Sequence, residues 1–254
     1  MNTTLVINSK GGSGKTTIAT NLASFFAVRG VPTTILDYDP QGSSLAWLRL
    51  RERAGKGPFG ANGAPQRGGR IRSIEAHVPA GTLQLLIDAP AGASGLLLQE
   101  LLSRVNNIVI PVAPSAFDIY ATASFVKELL LVGRIRSRSI RLAVVANRVR
   151  TSSPVYRPLE RFLGSLSLPF LTRISDSEVY VRAAETGVGV FEMETAEAGA
   201  ERSELMPIVD WIGGAREAET SVVRKVIDLA QSRWSEKART VPYGHQGLSS
   251  VGGN

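Results

Sequence analysis

"NSKGGSGKTT", residues 8–17, follows a strand-like run, TTLVIN at residues 3–8, and leads into a stretch with helical apolar spacing at residues 15–29. Its end, Gly14-Lys15-Thr16, matches the end of the phosphate-binding pattern G-x-x-x-x-G-K-[ST], although Ser9 stands where that pattern has its first glycine. A strand, a glycine-rich loop and a helix in this order predict a loop that surrounds phosphate groups. The loop also has a second lysine, Lys10, for which the pattern gives no role.

Nucleotide binding is expected to use both the backbone and the side chains of this loop. The N–H groups expected around the phosphates are those of Gly11, Gly12, Ser13 and Gly14. Lys15 is expected to reach the β- and γ-phosphates, and the Thr16 hydroxyl is expected to bind Mg²⁺. Thr17 is assigned to the same site.

Acidic residues follow two other predicted strands. Asp88 ends the near-continuous apolar run LQLLID at residues 83–88, where a magnesium–nucleotide site needs an acid. The run TTILDYD at residues 33–39 supplies Asp37 and Asp39, which the period-2 alternation of a strand would point to the same side. Both carboxylates could then lie near the metal and the attacking water. Taken alone, DYDPQG at residues 37–42 could also be an ordinary turn.

Short β-rich runs alternate with helical stretches along the chain. Besides the runs named above, the predicted strands are NNIVIPV at residues 106–112, RLAVVAN at 141–147 and LPFLTRI at 168–174. This alternation predicts an α/β fold with a doubly wound, mostly parallel sheet and helices on both faces. We expect one domain over residues 1–240, with a mobile Gly- and Pro-rich loop at 54–70, a closing helix at 215–239 and a disordered tail at 241–254.

Composition narrows the classes of function. The chain of 254 residues has no cysteine, which excludes disulfides, thiolate zinc sites and cysteine-ligated iron–sulfur clusters. No signal peptide or spanning segment is recognised, so a cytoplasmic protein is expected. The net charge is +7, and residues 101–182 hold twelve Lys and Arg against five acids. This basic segment is either a solvated surface or a face that binds a polyanion.

Three motifs together resemble a known family. KGGSGKTT, DYDPQGS and LLIDAPAG occur in the order and context of the ParA/MinD family of deviant Walker ATPases. Two further stretches, IVIPVAPSAFD at 108–118 and ISDSEVYVRAAETGVGVFE at 174–192, resemble the short plasmid-partition type similar to ParF. The resemblance runs from about residue 3 to residue 230. It implies a P-loop ATPase whose ligands are ATP and Mg²⁺.

The resemblance implies roles for individual residues. Lys10 matches the signature lysine of the family, which crosses a two-fold interface and contacts the nucleotide of the partner in an ATP sandwich dimer. Asp39 would position or activate the water, Asp37 would support the metal region, and Asp88 would hold Mg²⁺ through a water. Asn147 matches a position that contacts adenine, although it could be a simple turn residue.

The resemblance also implies a biological role. The ATP homodimer would bind nucleoid DNA without sequence preference, and a ParB-like or McdB-like adaptor would stimulate slow hydrolysis. Repeated cycles would position a cargo such as a plasmid, a chromosome origin or a carboxysome. The candidate DNA contacts are Arg224 and Lys225 on the closing helix, with Arg182 and Arg173 as further candidates.

Two other functions stay open on the sequence alone. The first is a membrane-surface spatial regulator of the MinD type, since SVVRKVIDLAQSRW within the closing helix is amphipathic. Some 20 polar, Gly-rich residues follow that amphipathic stretch, so docking on the core is the preferred interpretation and no stable membrane binding is expected. The second is a metabolic ligase or small-molecule kinase on the same fold, against which DYDPQG argues.

Overall fold

Seven parallel strands form one sheet in the residues that the structure, a computed structural model, describes: 1–55, 57, 59–62, 78–103, 105–132 and 140–214. In chain order the strands are β1 (Asn2–Val6), β2 (Thr33–Asp37), β3 (Phe59–Asn62), β4 (Gln84–Asp88), β5 (Asn107–Val112), β6 (Arg141–Val149) and β7 (Phe170–Ser175). Their order across the sheet is β3-β2-β4-β1-β5-β6-β7. The predicted parallel α/β architecture is therefore confirmed.

Helices cover both faces of the sheet. They are α1 (Lys15–Val28), α2 (Ser43–Arg53), α3 (Gly95–Leu102), α4 (Ala116–Val132), α5 (Tyr156–Ser165), α6 (Glu178–Thr186) and α7 (Thr195–Gly213), with a short 3₁₀ helix at Val190–Glu192. One apolar core joins the sheet to α3, α4 and α5, and a second joins it to α1, α2, α6 and α7. Among the described residues, no helix combines the length and the apolar character needed to cross a bilayer.

Alternation along each strand explains the two cores. In β1, Leu5 belongs to the core under α3–α5, whereas its neighbour Val6 belongs to the core under α1 and α2. Successive strand side chains point to opposite faces, so a strand covered on both faces needs apolar residues at every position. This requirement accounts for the near-continuous apolar runs of the sequence.

The carboxyl ends of β1, β2 and β4 meet at one edge of the sheet. Val6, just before the glycine-rich loop, pairs in register with Asp88 of β4, and Asp37 of β2 pairs with the same residue. The strand order reverses at β1: β2, β3 and β4 lie on one side of β1 in the sheet, whereas β5, β6 and β7 lie on the other side. Ligands of open α/β sheets bind at such a switch point, beyond the carboxyl ends of the strands.

The prediction of a mobile loop at residues 54–70 was wrong for residues 59–62. These residues form the edge strand β3, which pairs in parallel with β2 from Thr34–Phe59 to Asp37–Asn62. The sequence FGAN lacks the apolar character of a buried strand, so its pairing depends on the neighbouring strand. A Cβ on Gly60 would lie 2.0 Å from Cδ1 of Leu48, so a larger residue here would require the Leu48 side chain to move. Residues 63–70 lie outside the described residues.

Helix α7 was not singled out from the sequence. Helix α7 buries Leu205, Ile208, Trp211 and Ile212 against the sheet, and three of these residues, Leu205, Ile208 and Ile212, have the three- and four-residue spacing that would have predicted it. The predicted closing helix at 215–239 and the predicted tail at 241–254 lie outside the described residues. The extent of the domain to residue 240 stays a prediction.

Candidate nucleotide-binding site

The glycine-rich loop joins β1 to α1 at the carboxyl edge of the sheet. Gly12 and Gly14 have φ angles of +75° and +89°, in the left-handed region that glycine adopts without steric cost. The carbonyl of Ser9 accepts a hydrogen bond from the N–H of Gly92 (2.9 Å), which ties the loop to the segment after β4. In the described part of the chain, no side chain caps the first turn of α1. The N–H groups of that turn suit an anion.

Lys15 lies inside the curve of its own loop. Its side chain is buried, and Nζ donates a hydrogen bond to the carbonyl oxygen of Lys10 (2.9 Å). Burial lowers the pKa of Lys15, while the charges of Asp88 and Asp39 oppose that shift. A bound phosphate would favour the charged amine in the same place. The position of Lys15 thus agrees with its predicted contact to the phosphates.

Asp88 has the environment expected of a residue that supports a metal. Its buried Oδ2 accepts hydrogen bonds from the hydroxyls of Thr16 (2.7 Å) and Ser44 (2.5 Å), while its buried Oδ1 has no partner among the described residues. Burial is the main cause that raises the pKa of Asp88 to about 6; the charge of Asp37 raises it further, and the two hydroxyls and Lys15 lower it. Hydroxyl and carboxylate oxygens are ligands that Mg²⁺ prefers, so these residues fit the predicted ion. Mg²⁺, when bound here, would neutralise charge on the phosphates.

Ser44 was missed by the sequence analysis. It is the second residue of α2 and is completely buried against Asp88. A hydroxyl directly after DYDPQGS, at the start of a helix that begins beside the acids, is the signal that could have found it.

Asp37 and Asp39 are arranged differently from the prediction. Strand β2 ends at Asp37, so the alternation of a strand does not extend to Asp39. Instead, Oδ1 of Asp37 accepts a hydrogen bond from the N–H of Asp39 (3.0 Å) and Oδ2 accepts one from the N–H of Leu45 (3.1 Å). Burial raises the pKa of Asp37, and these backbone bonds oppose the shift. Asp37 therefore holds the turn that carries the half-buried Asp39 beside the phosphate loop.

Asn147 lies directly under the phosphate loop. It is inside β6 and not in a turn, its side chain is buried, and Nδ2 donates a hydrogen bond to the carbonyl of Ser13 (2.7 Å). The next residue, Arg148, has a φ of +55° and directs its guanidinium toward the carbonyl of Gly12 (3.5 Å). The predicted contact of Asn147 with adenine stays a prediction.

The four predicted DNA contacts do not form one described surface. Arg173 donates to the hydroxyl of Tyr156 on α5, whereas Arg182 pairs with Glu197 on α7, on the other side of the sheet. Arg224 and Lys225 lie outside the described residues.

We expect Asp88→Asn to stabilise the nucleotide-free protein at pH 8. The raised pKa means that ionised Asp88 destabilises the fold above pH 6, a cost that disappears as the carboxylate is protonated between pH 6 and pH 4. The gain at pH 8 should therefore reach up to about 3 kcal/mol, from about 1.36 kcal/mol per pKa unit, and should vanish near pH 4. Urea unfolding in EDTA at several pH values measures it.

The matched control for that experiment is Asp39→Asn. Asp39 is only half-buried and keeps contact with water, so neutralising it should change the free energy of unfolding little at any of these pH values. If Asp88→Asn is less stable than the wild type at pH 8, the ionised carboxylate of Asp88 does not destabilise the nucleotide-free fold, and the interpretation of Asp88 as a buried carboxylate that awaits a metal is contradicted.

Comparison with known proteins agrees with this geometry. The sequence profile of the CobQ/CobB/MinD/ParA nucleotide binding domain matches residues 4–190. The chain is 28% identical over 200 residues to the maintenance of carboxysome distribution protein A of Halothiobacillus neapolitanus. The matched region covers 75% of this chain and 87% of that protein. It is 29% identical over 158 residues to ParA of Rhizobium radiobacter. This second matched region covers 61% of this chain and 67% of that protein.

A solved structure shows the same fold. A putative plasmid partition protein of Borrelia burgdorferi, bound to AMPPNP, superposes with a TM-score of 0.65 and covers 82% of this chain and 98% of its own length. At 14% identity this likeness concerns the fold alone. Because the profile matches most of the chain and the phosphate loop lies where the fold requires it, the chain belongs to the CobQ/CobB/MinD/ParA family of P-loop nucleotide-binding proteins.

Proposed function

We propose that this protein is a ParA-type ATPase that positions or segregates a cargo. ATP would drive a sandwich dimer, the dimer would bind nucleoid DNA without sequence preference, and a ParB-like or McdB-like adaptor would stimulate a slow basal hydrolysis. The observation that carries the proposal is the phosphate loop with two lysines, Lys10 and Lys15, between β1 and α1. The similarity to carboxysome-distribution and partition proteins supports the cargo-positioning role.

The two lysines occupy different places, which supports a dimer. Lys15 is buried inside the loop, where one triphosphate would lie. The half-buried Lys10 contributes its carbonyl to Lys15, and its own amine has no partner among the described residues. One loop needs one lysine for its own nucleotide, so the amine of Lys10 is available to the nucleotide of a second copy.

Exposed apolar side chains next to the site also support a dimer. Leu96, Phe117 and Tyr120 are 77%, 80% and 73% exposed, and they lie within the first five residues of α3 and α4. Both helices begin at the carboxyl edge of the sheet, which is the edge of the phosphate loop. Large apolar side chains clustered beside a site are typical of interaction surfaces. A second copy of the chain facing this edge would cover them.

Two arginines on α5 support binding of DNA phosphates. Arg157 and Arg161 are four residues apart, so they lie on one side of the helix, and both are exposed. Neither makes an ion pair with a described residue, unlike Arg173 and Arg182. The buried side of the same helix is apolar, which keeps these guanidinium groups in the solvent. Such groups bind phosphate oxygens in bidentate fashion.

The experiment that tests the function is a DNA titration with ATP or ADP on unrelated duplexes. Binding should require ATP and should not depend on sequence. The double variant Arg157→Glu, Arg161→Glu should bind more weakly. It should reduce the magnitude of the slope of log K against log salt by about 4, since each phosphate contact contributes about 0.9 and the dimer has two copies of each arginine. Fluorescence anisotropy across a salt series measures both quantities.

A matched control separates a specific surface from total charge. Arg49 and Arg53 are also exposed and four residues apart, but they lie on α2 at the other face of the sheet. Changing both to glutamate alters the net charge equally and should leave most of the DNA affinity. Equal binding with ATP and ADP, or ATP-dependent binding to anionic vesicles in place of DNA, would overturn the proposed function.

A further inference from the structure

We infer that Asn147 is a positioning residue that clamps the phosphate loop from β6, so that the loop has its phosphate-binding shape before any nucleotide arrives. This inference rests on the proposed nucleotide binding of the same loop. It assigns Asn147 a role at the phosphate end of the site, which differs from a contact with the base.

The hydrogen bond to Ser13 is the first observation. Nδ2 of Asn147 lies 2.7 Å from the carbonyl oxygen of Ser13, and the two residues are 134 positions apart in the chain. Asn147 is only 3% exposed and Ser13 is fully buried, so water cannot easily replace this bond. A buried backbone carbonyl needs a partner, and Asn147 supplies it. The Ser13–Gly14 peptide is thereby held in one orientation.

The space at Gly14 is the second observation. A Cβ at position 14 would lie 1.8 Å from Nδ2 of Asn147 and 3.0 Å from its Cγ. Glycine is therefore needed here for close approach of the amide, in addition to the φ of +89°. The loop and the asparagine fit each other, which a turn residue or a pure base contact would not require.

A break in the regular pairing of β6 with β7 positions the side chain of Asn147. The pairing of β6 with β7 shifts register between Ala146 and Val149, and Arg148 within that interval has a φ of +55°. Such bulges re-aim side chains that a regular strand would send to opposite faces. Here the side chain of Asn147 contacts Ser13 and that of Arg148 contacts Gly12, so both consecutive side chains lie against the phosphate loop.

The orientation of the amide follows from the bond. With Nδ2 donating to Ser13, the Oδ1 atom points away from that carbonyl and can only accept a hydrogen bond. The reversed amide would place two acceptors against each other. An aspartate at position 147 has nearly the same shape but two acceptor oxygens, so it tests the hydrogen bond separately from the packing.

The test compares a ligand that has a base with one that has none. Affinities for ATP and for inorganic tripolyphosphate, both with Mg²⁺, are measured by competition against a fluorescent nucleotide. Asn147→Ala should weaken both ligands by the same factor, about tenfold, and Asn147→Asp should weaken both further. Arg148→Ala removes the long contact to Gly12 and the 3.7 Å ion pair with Asp176 but leaves the bond of Asn147 to Ser13, so it should weaken both ligands less than Asn147→Ala does.

A second measurement needs no nucleotide. Hydrogen exchange of the backbone amides at residues 9–14 should become faster in Asn147→Ala, while exchange in the central strands β1 and β4 should stay unchanged. A loss of ATP affinity with unchanged tripolyphosphate affinity would assign Asn147 to the base and overturn the clamp. Unchanged loop exchange would overturn it as well. Absence of ATP binding by the wild type would instead refute the proposed function.

Discussion

Lys15→Ala is expected to reduce the affinity for ATP by about a hundredfold or more, which amounts to loss of measurable binding. The amine of Lys15 already lies inside the loop, where it donates to the carbonyl of Lys10, so it can exchange that carbonyl for phosphate oxygens without leaving its place. Hydrogen bonds between charged groups are the strong ones, and alanine removes all of them. Titration of a fluorescent ATP analogue with Mg²⁺ measures the loss.

Lys10→Ala is the matched control, since it removes the same charge from the same loop. Its side chain is only half-buried and its amine has no partner in the described chain, so the affinity of the monomer for ATP should be retained. The ATP-dependent dimer should be lost, as size-exclusion chromatography with light scattering would show. A normal ATP dimer of Lys10→Ala would refute the contact in trans. Unchanged ATP binding by Lys15→Ala would mean that nucleotide binds elsewhere.

Most of the fold could be predicted from the sequence because the sheet is buried on both faces. The six predicted strands contain consecutive apolar residues, most of them buried, and all six strands occur in the structure. The seventh strand, β3, could not be predicted from FGAN, because an edge strand has one neighbour and needs little apolar character of its own. Its position depends on β2, with which it pairs in parallel.

In the candidate site, too, some features could be predicted from the sequence and others could not. The phosphate loop and Asp88 follow from local patterns, because backbone conformation and strand ends are encoded by nearby residues. The bonds of Ser44 to Asp88 and of Asn147 to Ser13 join residues 44 and 134 positions apart, which no local pattern specifies. Charge counting has the same limit, since it cannot tell that Arg182 has an acidic partner whereas Arg157 has none in the described chain.

The turn that carries Asp39 leads to a second large expected effect. Asp37 accepts the N–H of Asp39 and the N–H of Leu45, so the turn between β2 and α2 is held at both ends. Oδ1 of Asp39 accepts from the N–H of Gln41 (3.0 Å), which fixes the side chain while leaving it half-exposed. The charge of Asp39 also acts on Lys15 within the loop. A held but accessible carboxylate in this place suits the orientation of an attacking water.

Asp39→Ala should therefore retain ATP binding and lower hydrolysis by about a hundredfold, the lower end of the range for a lost general base. The basal rate of the wild type should itself be slow, on the order of 10⁻⁴ to 10⁻² s⁻¹, so single-turnover assays with radiolabelled ATP are needed. The ATP dimer of the variant should accumulate, because in the proposed cycle the dimer forms before hydrolysis. Asp37→Ala is the informative comparison: it leaves the carboxylate of Asp39 in the chain but frees its turn, so it should lower hydrolysis too and also destabilise the fold. If Asp39→Ala hydrolyses ATP like the wild type, Asp39 does not orient the water, and a loss of hydrolysis in Asp37→Ala would then come from the destabilised fold.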